Sequence, residues 1–480
     1  MTTAPDQAEL LATAARQLAP VIPLLTELGE RFAAGGHELA LVGGPVRDAF
    51  LARTSPDLDL TTDARPEQTE ALLRGWADGI WDVGRAFGTI GARKGELTLE
   101  LTTYRTDAYD RTSRKPEVAF GETLEDDLVR RDFTINAIAL RLPVLELVDP
   151  HHGVEDLAAR LLRTPSTPEE SFADDPLRMM RAARFVAQLG VDLAPEVEHA
   201  MTERAASITM VSAERVRDEL IKMLLAPDPR AGLSVLVRTG LAEHVLPELP
   251  ALRLERDEHH HHKDVYEHTL TVLEQAIDLE TDGPDLVLRL AALLHDIGKP
   301  ATRRFEDGGG VSFHHHELVG ARLAAKRLKA LRFDNDTVKA VSRLTELHLR
   351  FHGYGDGEWT DSAVRRYVTD AGPLLTRLHR LTRADCTTRN RKKAARLSRA
   401  YDSLEERIAR LQEQEELDAV RPELDGNEIG AVLGIKPGPV LGRAYKHLLA
   451  VRLDEGPVGK ERAADLLRAW WAEQPESADD

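Results

Sequence analysis

The sequence has a single cysteine in 480 residues, Cys386, so no disulfide can form within the chain and a reducing compartment suits it. Aromatic residues make up only 5%, while alanine, leucine, arginine and glutamate abound; that balance favours helix for most of the length. No apolar run reaches 18 residues, and Met1 to Ala19 lacks the basic opening of a secretory signal. The chain is therefore expected to be cytoplasmic, with no membrane partner. Positive charge is also short: 63 Lys and Arg face 81 Asp and Glu, a net charge of −18. Taken alone this argues against a polyanionic partner, although binding depends on local patches rather than totals. What remains is globular material, 42% hydrophobic and 30% charged, long enough for about three domains.

The informative stretch runs from Glu38 to Ala64. Leu39 to Val42 is a short apolar run that reads as a buried strand; it stops at Gly43 and Gly44, and a helix can begin near Pro45. A second short strand then carries Asp57 and Asp59, whose side chains point to the same face because they are two apart. Paired carboxylates beside a helix N-terminus suit the holding of a divalent metal and a triphosphate together. Arg130 to Leu140, RRDFTINAIAL, is expected to open an apolar helix that also carries Asn136. Glu96 to Tyr104 alternates as a strand, and Glu100 on it is either a third carboxylate at the metal site or an exposed strand residue. Upstream, Ala12 to Ala34 reads as one amphipathic helix ended by Gly35 and Gly36, and Arg105 to Glu122 as a loop beside the active site.

These blocks carry a resemblance. G-G-P-V-R-D, then D-L-D, then R-R-D-F-T-I-N-A resemble the head of the bacterial class II tRNA nucleotidyltransferases, the CCA-adding enzymes, and their relatives the bacterial poly(A) polymerases. The resemblance implies an α+β chain: a polymerase-β-like nucleotidyltransferase head with a mixed sheet, followed by all-helical neck, HD and C-terminal domains. It also implies that Asp57 and Asp59 are catalytic and hold Mg²⁺. Gly43, Gly44, Arg47 and Asp48 would hold the triphosphate, with Arg131, Asp132 and Asn136 orienting phosphate and ribose.

Asp174 to Phe185, DDPLRMMRAARF, looks like the family's base-reading helix, whose usual pattern is E-D-x-x-R. Here Asp174 stands where glutamate is usual, and Asp175 and Arg178 are expected to share one helix face. The chemistry suits that spacing. Adenine and cytosine both present an amino donor beside a ring-nitrogen acceptor, which a carboxylate and a guanidinium can satisfy together. Guanine and uracil present the opposite polarity and would leave both protein groups mispaired. ATP and CTP are thus the expected nucleotides, unless Asp175 and Arg178 form an ordinary surface ion pair. Ser212 to Leu224 reads as a supporting helix with Ser212 as its N-cap.

Further on, His268, the adjacent His295 and Asp296, and Asp385 match the H…HD…D signature of the HD phosphohydrolase superfamily. Leu290 to Lys299, LAALLHDIGK, is expected to deliver His295 and Asp296 at the end of an apolar helix. Imidazole and carboxylate ligands suit a transition metal such as Ni, Mn, Co or Zn. His316 and His348 stand where some HD domains hold a second metal. Some CCA-adding relatives carry such a domain with 2′,3′-cyclic phosphodiesterase and phosphatase activity. The run His259 to His262 reads as a linker rather than a ligand set.

His379 to Ala400 holds eight basic residues, among them Arg389, Arg391, Lys392 and Lys393, against the single acid Asp385. It is either a solvated helix face or the surface that contacts tRNA phosphates. The G-I-K-P-G turn near residue 436 resembles a helix-hairpin-helix element, either a packing hairpin or a second phosphate contact. The expected division is 1–163 head, 164–256 neck, 257–400 HD domain and 401–480 tRNA-binding tail. The leading function is template-independent addition or repair of the tRNA 3′-terminal C-C-A. The rivals are a poly(A) polymerase, an enzyme adding only C-C or only A, and a chain that is mainly an HD phosphohydrolase. The first is disfavoured because Val83 to Ile90, VGRAFGTI, lacks the more basic G-[RK]-[RK] character of that branch.

Overall fold

Two helices, α1 (Gln7–Leu18) and α2 (Ile22–Ala34), stand where one was expected. Pro20 falls between them, where a helix interior would lack its N–H, while Pro23 fits the first turn of α2 and Gly35 caps its end. The computed structural model describes residues 7–54, 57–106, 119–253, 265–306, 311–353, 359–387, 390–415 and 421–474. Much of the loop read over Arg105 to Glu122, and the run His259 to His262, thus lie outside the described residues.

Two units divide the chain, Met1–Val245 and Leu246–Asp480. The first is built on a mixed sheet of seven strands: β1 (Leu39–Val42), β2 (Asp57–Thr62), β3 (Gly79–Trp81), β4 (Thr89–Lys94) and β5 (Leu97–Thr103), then, after the short pair β6 (Arg105–Thr106) and β7 (Ala119–Phe120), β8 (Ala139–Leu142) and β9 (Glu146–Val148). Their spatial order is β3-β4-β5-β2-β1-β8-β9, with only β2 and β5 parallel. Helix α3 (Gly44–Phe50) follows β1 directly and α4 (Pro66–Leu73) follows β2. The period of two separates the faces. Leu58, Leu60, Ile90, Ala92, Leu99 and Leu101 are buried, while Asp57, Asp59 and Glu100 project from the other side. Over β1 and β8 that other side is closed by Leu124 and Leu128 of α5 (Leu124–Val129), packed with Tyr104 on Ala40, Val42 and Ala139.

The block RRDFTINAIAL departs from expectation: it forms a three-residue 3-10 turn, Thr134–Asn136, and then strand β8. A fully buried apolar run has no face to reveal its period, so strand and helix read alike. The backbone pairing of β8 with β1 decides the matter.

Helix α6 (Gly153–Ala159) follows β9. Past β10 (Leu161–Leu162) the unit is helical: α7 (Pro168–Asp174), α8 (Leu177–Leu189), then β11 (Asp192–Leu193) back on β10, α9 (Pro195–Arg204), α10 (Ala213–Leu224), α11 (Pro229–Arg238) and α12 (Leu241–Val245). Ser212 caps α10 as its position predicted, accepting from the Arg215 N–H.

The second unit is helical apart from the small ladder of β12 (Arg304–Phe305) and β13 (Val311–Ser312). Its helices are α13 (Val265–Asp278), α14 (Leu286–Leu294), α15 (Lys299–Thr302), α16 (His316–Ala330), α17 (Asn335–Leu347), α18 (Asp361–Ala371), α19 (Leu375–Ala384), α20 (Arg391–Glu415), α21 (Gly426–Leu433), α22 (Pro439–Glu455) and α23 (Lys460–Ala472). The last three share a core of Leu424, Ile429, Leu433, Ala444, Leu448, Ala463 and Leu467. The G-I-K-P-G segment is the turn between α21 and α22, opened by Gly434 in the left-handed region. No described helix is long and apolar enough to cross a membrane.

Candidate active site and metal centre

The turn between β1 and α3 places the first site. Gly43 takes φ +73°, and a Cβ there would lie 3.0 Å from Arg131 Nη1. A Cβ on Gly44 would sit 3.8 Å from both Arg47 Nη2 and Asp59 Oδ2. The bare backbone of Gly43 thus takes a left-handed turn and lets the Arg131 guanidinium close in, while Gly44 lies at ordinary contact distance from Arg47 and Asp59. Asp57 and Asp59 lie on β2 as expected, and the parallel register sets Glu100 directly beside Asp59. Glu100 is an exposed strand residue that stands beside Asp59, so both readings of it stand. Asp59 is held above the ordinary aspartate range, by burial first and then by Glu100 and Asp57, with Arg131 and Arg47 pulling the other way. Asp57, Asp59 and Glu100 share one face of the sheet, and carboxylates so placed suit a divalent cation.

Behind them runs a buried chain of polar contacts. Arg47, 6% exposed, donates to Asn136 Oδ1 at 2.7 Å and to Asp48 Oδ1 at 2.7 Å. Asn136 Nδ2 donates to Asp132 Oδ1 at 2.9 Å, and Asp132 Oδ2 accepts from Arg181 Nε at 2.7 Å. Burial would raise the Asp132 carboxyl; Arg181 and Asn136 outweigh it and hold it below the usual range. Arg131 is steadied by Asp127, 3.0 Å away. The 3-10 turn, rather than the expected helix, brings Asn136 within reach of both Arg47 and Asp132.

The base-reading residues stand differently from the expectation. Asp174 is the exposed last residue of α7, and Asp175 follows it in extended conformation, φ −140°, off any helix. Pro176 caps the start of α8, which carries Arg178 in its first turn. Proline disfavours helix in the residue before it, so Asp175 and Arg178 meet at a helix junction instead of along one face. Asp175 Oδ1 accepts from the Leu177 N–H at 3.1 Å, and Oδ2 from Arg215 Nη2 at 2.8 Å. Arg178 donates to Ser171 Oγ at 2.8 Å and to the Arg130 carbonyl at 2.6 Å. Arg181 and Ser171 escaped the sequence reading, while Arg215 lies on the helix read there as a support. The signal for Arg181 was the three-residue spacing of Arg178, Arg181 and Arg184 along α8.

In the second unit, six residues from five helices converge. His268 comes from α13, His295 and Asp296 from the end of α14, and His316 from the start of α16. His348 ends α17 and Asp385 ends α19. They form two groups, His268–His295–Asp385 and Asp296–His316–His348, with the ligand atoms of each group within 4.8 Å of one another. Asp296 joins the groups, its Oδ2 lying 3.2 Å from His295 Nε2 and its Oδ1 3.2 Å from His316 Nε2.

The outward nitrogens are all engaged. His295 Nδ1 lies 2.8 Å from the Ala292 carbonyl, His316 Nδ1 2.8 Å from that of Phe313, and His348 Nδ1 2.6 Å from that of Thr345. A carbonyl only accepts, so each Nδ1 carries the proton and each Nε2 offers its lone pair inward. These buried Nε2 atoms and Asp296 Oδ1 have no hydrogen-bond partner among the described residues. Burial pushes His348 down to about 4, leaving its ring neutral. Burial also opposes charge on His295, but Asp296 and Asp385 outweigh it and hold the ring above the usual histidine range. That carboxylate field serves a cation as well as a proton. Lys299, also missed from sequence, donates to Asp296 Oδ2 at 2.6 Å. Orphaned lone pairs held in this way fit divalent metal.

Of the basic candidates, Arg391, Lys392 and Lys393 are exposed in the first turn of α20, and Arg389 lies outside the described residues. The basic run is not one helix, because α19 stops at Ala384 so that Asp385 can turn into the metal centre. Arg383 is drawn into contacts with Asp402 and Glu405, and Arg380 with Thr281.

Comparison with known proteins agrees with this layout. Residues 39–163 match the Poly A polymerase head domain, residues 190–252 the probable RNA and SrmB binding site of polymerase A, and residues 265–390 the HD domain. The chain is 37% identical to the A-adding tRNA nucleotidyltransferase of Deinococcus radiodurans, over 91% of this chain and 96% of that one. It is 32% identical to the CC-adding tRNA nucleotidyltransferase of Thermus thermophilus, over 90% and 93%. With the CCA-adding enzyme of Bacillus subtilis it shares 39% identity over 50% of this chain and 56% of the other. The fold resembles that of the Bacillus stearothermophilus CCA-adding enzyme solved with CTP, at a TM-score of 0.67 and 24% identity over 94% and 98% of the two chains. With the two carboxylates, the glycine turn and the HD ligands in place, the chain belongs to the bacterial tRNA nucleotidyltransferase and poly(A) polymerase family and is a tRNA nucleotidyltransferase with an HD domain.

Proposed function

We propose that this enzyme adds or repairs the 3′-terminal C-C-A of tRNA in the cytoplasm, using CTP and ATP and no template. The observation that carries the reading is the convergence of Asp57, Asp59 and Glu100 beside the Gly43–Gly44 turn, backed by the Arg47–Asn136–Asp132 chain. Arg47 and Arg131 meet the triphosphate while Asn136 and Asp132 fix the orientation of Arg47. Asp57 and Asp59, with Glu100 behind them, hold Mg²⁺. When bound, Mg²⁺ supplies positive charge to the attacking 3′-hydroxyl oxygen and the leaving pyrophosphate. Asp175 accepts from the exocyclic amine of C or A, and Arg178 donates to the ring nitrogen beside it. Arg215, and Ser171 with the Arg130 carbonyl, hold these two in place. Arg391, Lys392 and Lys393 offer cations to tRNA phosphates, with Arg389 as a fourth.

The work divides over a head (1–163), a neck that reads the base (164–256), an HD domain (257–400) and a tRNA-binding tail (401–480). At the HD centre the six ligands favour Ni, Mn, Co or Zn and a hydrolytic activity on 2′,3′-cyclic phosphates or phosphomonoesters.

A second reading has specific support: the relatives that span nearly the whole chain add A alone or C-C alone. One assay separates the two. Purified enzyme is offered tRNAs ending before C-C-A, after the first C and after C-C, with each nucleotide singly and in pairs. Completion to C-C-A and a stop there supports the proposal. Products halted at C-C, or formed only from tRNA already ending in C-C, replace it with the divided reading; long A tails overturn both.

A further inference from the structure

The cross-strand register extends the catalytic row beyond the carboxylates. Glu100 stands opposite Asp59, Gly91 opposite Glu100, and Trp81 opposite Gly91, so all four positions project to the same face of β2, β5, β4 and β3. Gly91 has no side chain to fill its place, and the Trp81 indole does so instead. A Cβ built on Gly91 would fall 2.0 Å from Trp81 Nε1 and 2.2 Å from Cε2. The ring therefore lies over β4 rather than standing off the edge strand, and it remains 39% exposed. Strands are spaced ~4.8 Å apart, which sets this aromatic surface two strands, or roughly 10 Å, from Asp59. That span matches the reach of one nucleotide from its sugar hydroxyl to its base.

We propose that Trp81 is the stacking platform for a base at the 3′ end of the RNA that is being extended. The sheet order decides between RNA and incoming nucleotide. The triphosphate groups, Gly43, Gly44, Arg47 and Arg131, stand on the β1 side of Asp59, and Trp81 stands on the opposite side, past β5. Nucleotidyl transfer sets the attacking hydroxyl and the leaving pyrophosphate roughly in line across the α-phosphorus. If pyrophosphate leaves toward β1, the RNA end enters from β5 and β4, over the indole. Arg93, two residues on from Gly91 and so on the same face, is exposed there to meet a backbone phosphate. An aromatic face stacks on any base, which suits an enzyme whose RNA end changes with every addition.

The inference rests on the nucleotidyl-transfer reading above, and the test keeps the two apart. KM for a tRNA lacking its terminal residues is measured at saturating CTP and ATP for the wild type, Trp81→Ala and Trp81→Phe, with equilibrium binding of CTP measured in the absence of RNA. Trp81→Ala is expected to raise the RNA KM about tenfold and Trp81→Phe no more than about threefold, with CTP binding unchanged in both. Trp81 fluorescence, taken as the difference between wild type and Trp81→Phe, is expected to be quenched by a short RNA ending in C. A wild-type enzyme that extends no tRNA would remove the parent reading. A wild type that extends tRNA beside a Trp81→Ala variant with unchanged RNA KM, or with weakened CTP binding instead, would overturn this inference alone. Absence of quenching would do the same.

Discussion

Asp59 shows how function opposes stability at a single side chain. Its carboxyl is raised by burial and by two neighbouring carboxylates, so its folded pKa exceeds its unfolded one. For a carboxylate shifted in that direction, ionisation subtracts stability above the folded pKa, and stability returns as pH falls through that value. Asp59→Asn removes the charge and keeps the shape. In metal-free buffer near pH 8 the variant is expected to melt roughly 1–3 °C above the wild type, with the gap narrowing as Mg²⁺ is added to both. Nucleotide incorporation is expected to drop by about 10³-fold or more. Calorimetry with and without Mg²⁺ checks the first claim, and a lower melting temperature for the variant would mean that the three carboxylates are not in repulsion. Asp132 is the opposite case. Arg181 and Asn136 hold it below its unfolded value, so its contribution is present above that value and lost as pH falls through the folded one. The same site thus contains one carboxylate that favours the fold and one that strains it.

Elements were legible in proportion to how openly their period showed. Strand β2 announced itself because polar Asp57 and Asp59 alternate with buried Leu58 and Leu60, and α14 because nine apolar-rich residues run straight into His295–Asp296. The block at Arg130 misled because residues 132 to 139 are all buried, which leaves no period to read. Asp175 misled because the spacing of three fits a helix turn, while Pro176 places a helix boundary inside it. A contact across a long separation, such as Arg215 with Asp175, carries no local signature at all, whereas Lys299 reaches Asp296 from three residues away. One glycine in the HD block was quoted from sequence and explained only by the fold. A Cβ on Gly298 would stand 2.1 Å from the His316 carbonyl oxygen and 2.7 Å from the Gly320 N–H nitrogen. The turn after α14 and the start of α16 therefore touch backbone to backbone, and that contact sets His316 against Asp296. Gly298→Ala must push α16 away. It is expected to cut bound metal per chain at least about tenfold and to abolish hydrolysis of 2′,3′-cyclic AMP, with C-C-A addition kept within about twofold. Metal analysis after dialysis reads the result, and full metal content in the variant would show that α16 is not held by this contact.

Across the whole molecule the difficulty is electrostatic, because a chain of net charge −18 must grip a polyanion. Such a chain gains little from long-range attraction, so affinity has to come from a few cations placed against phosphates, each releasing a counterion on binding. The fold narrows the choice of cations. Arg380 and Arg383 are spent on neighbours within their own unit, whereas Arg391, Lys392 and Lys393 open α20 in full exposure, with Asn390 accepting from the Lys392 and Lys393 N–H groups at 3.0 and 3.1 Å. That first turn is thereby anchored while its three side chains remain in solvent. Replacing all three by alanine is expected to weaken tRNA binding about tenfold or more near 0.1 M salt. It should also make the slope of log Kd against log salt shallower by about 2, since each lost phosphate contact removes somewhat less than one unit. CTP binding without RNA should not change. Filter binding of tRNA over a salt series gives both numbers at once. A weaker affinity with an unchanged slope would place these cations in a supporting role for the fold, whereas a shallower slope identifies them as the phosphate contacts that let an acidic protein hold RNA.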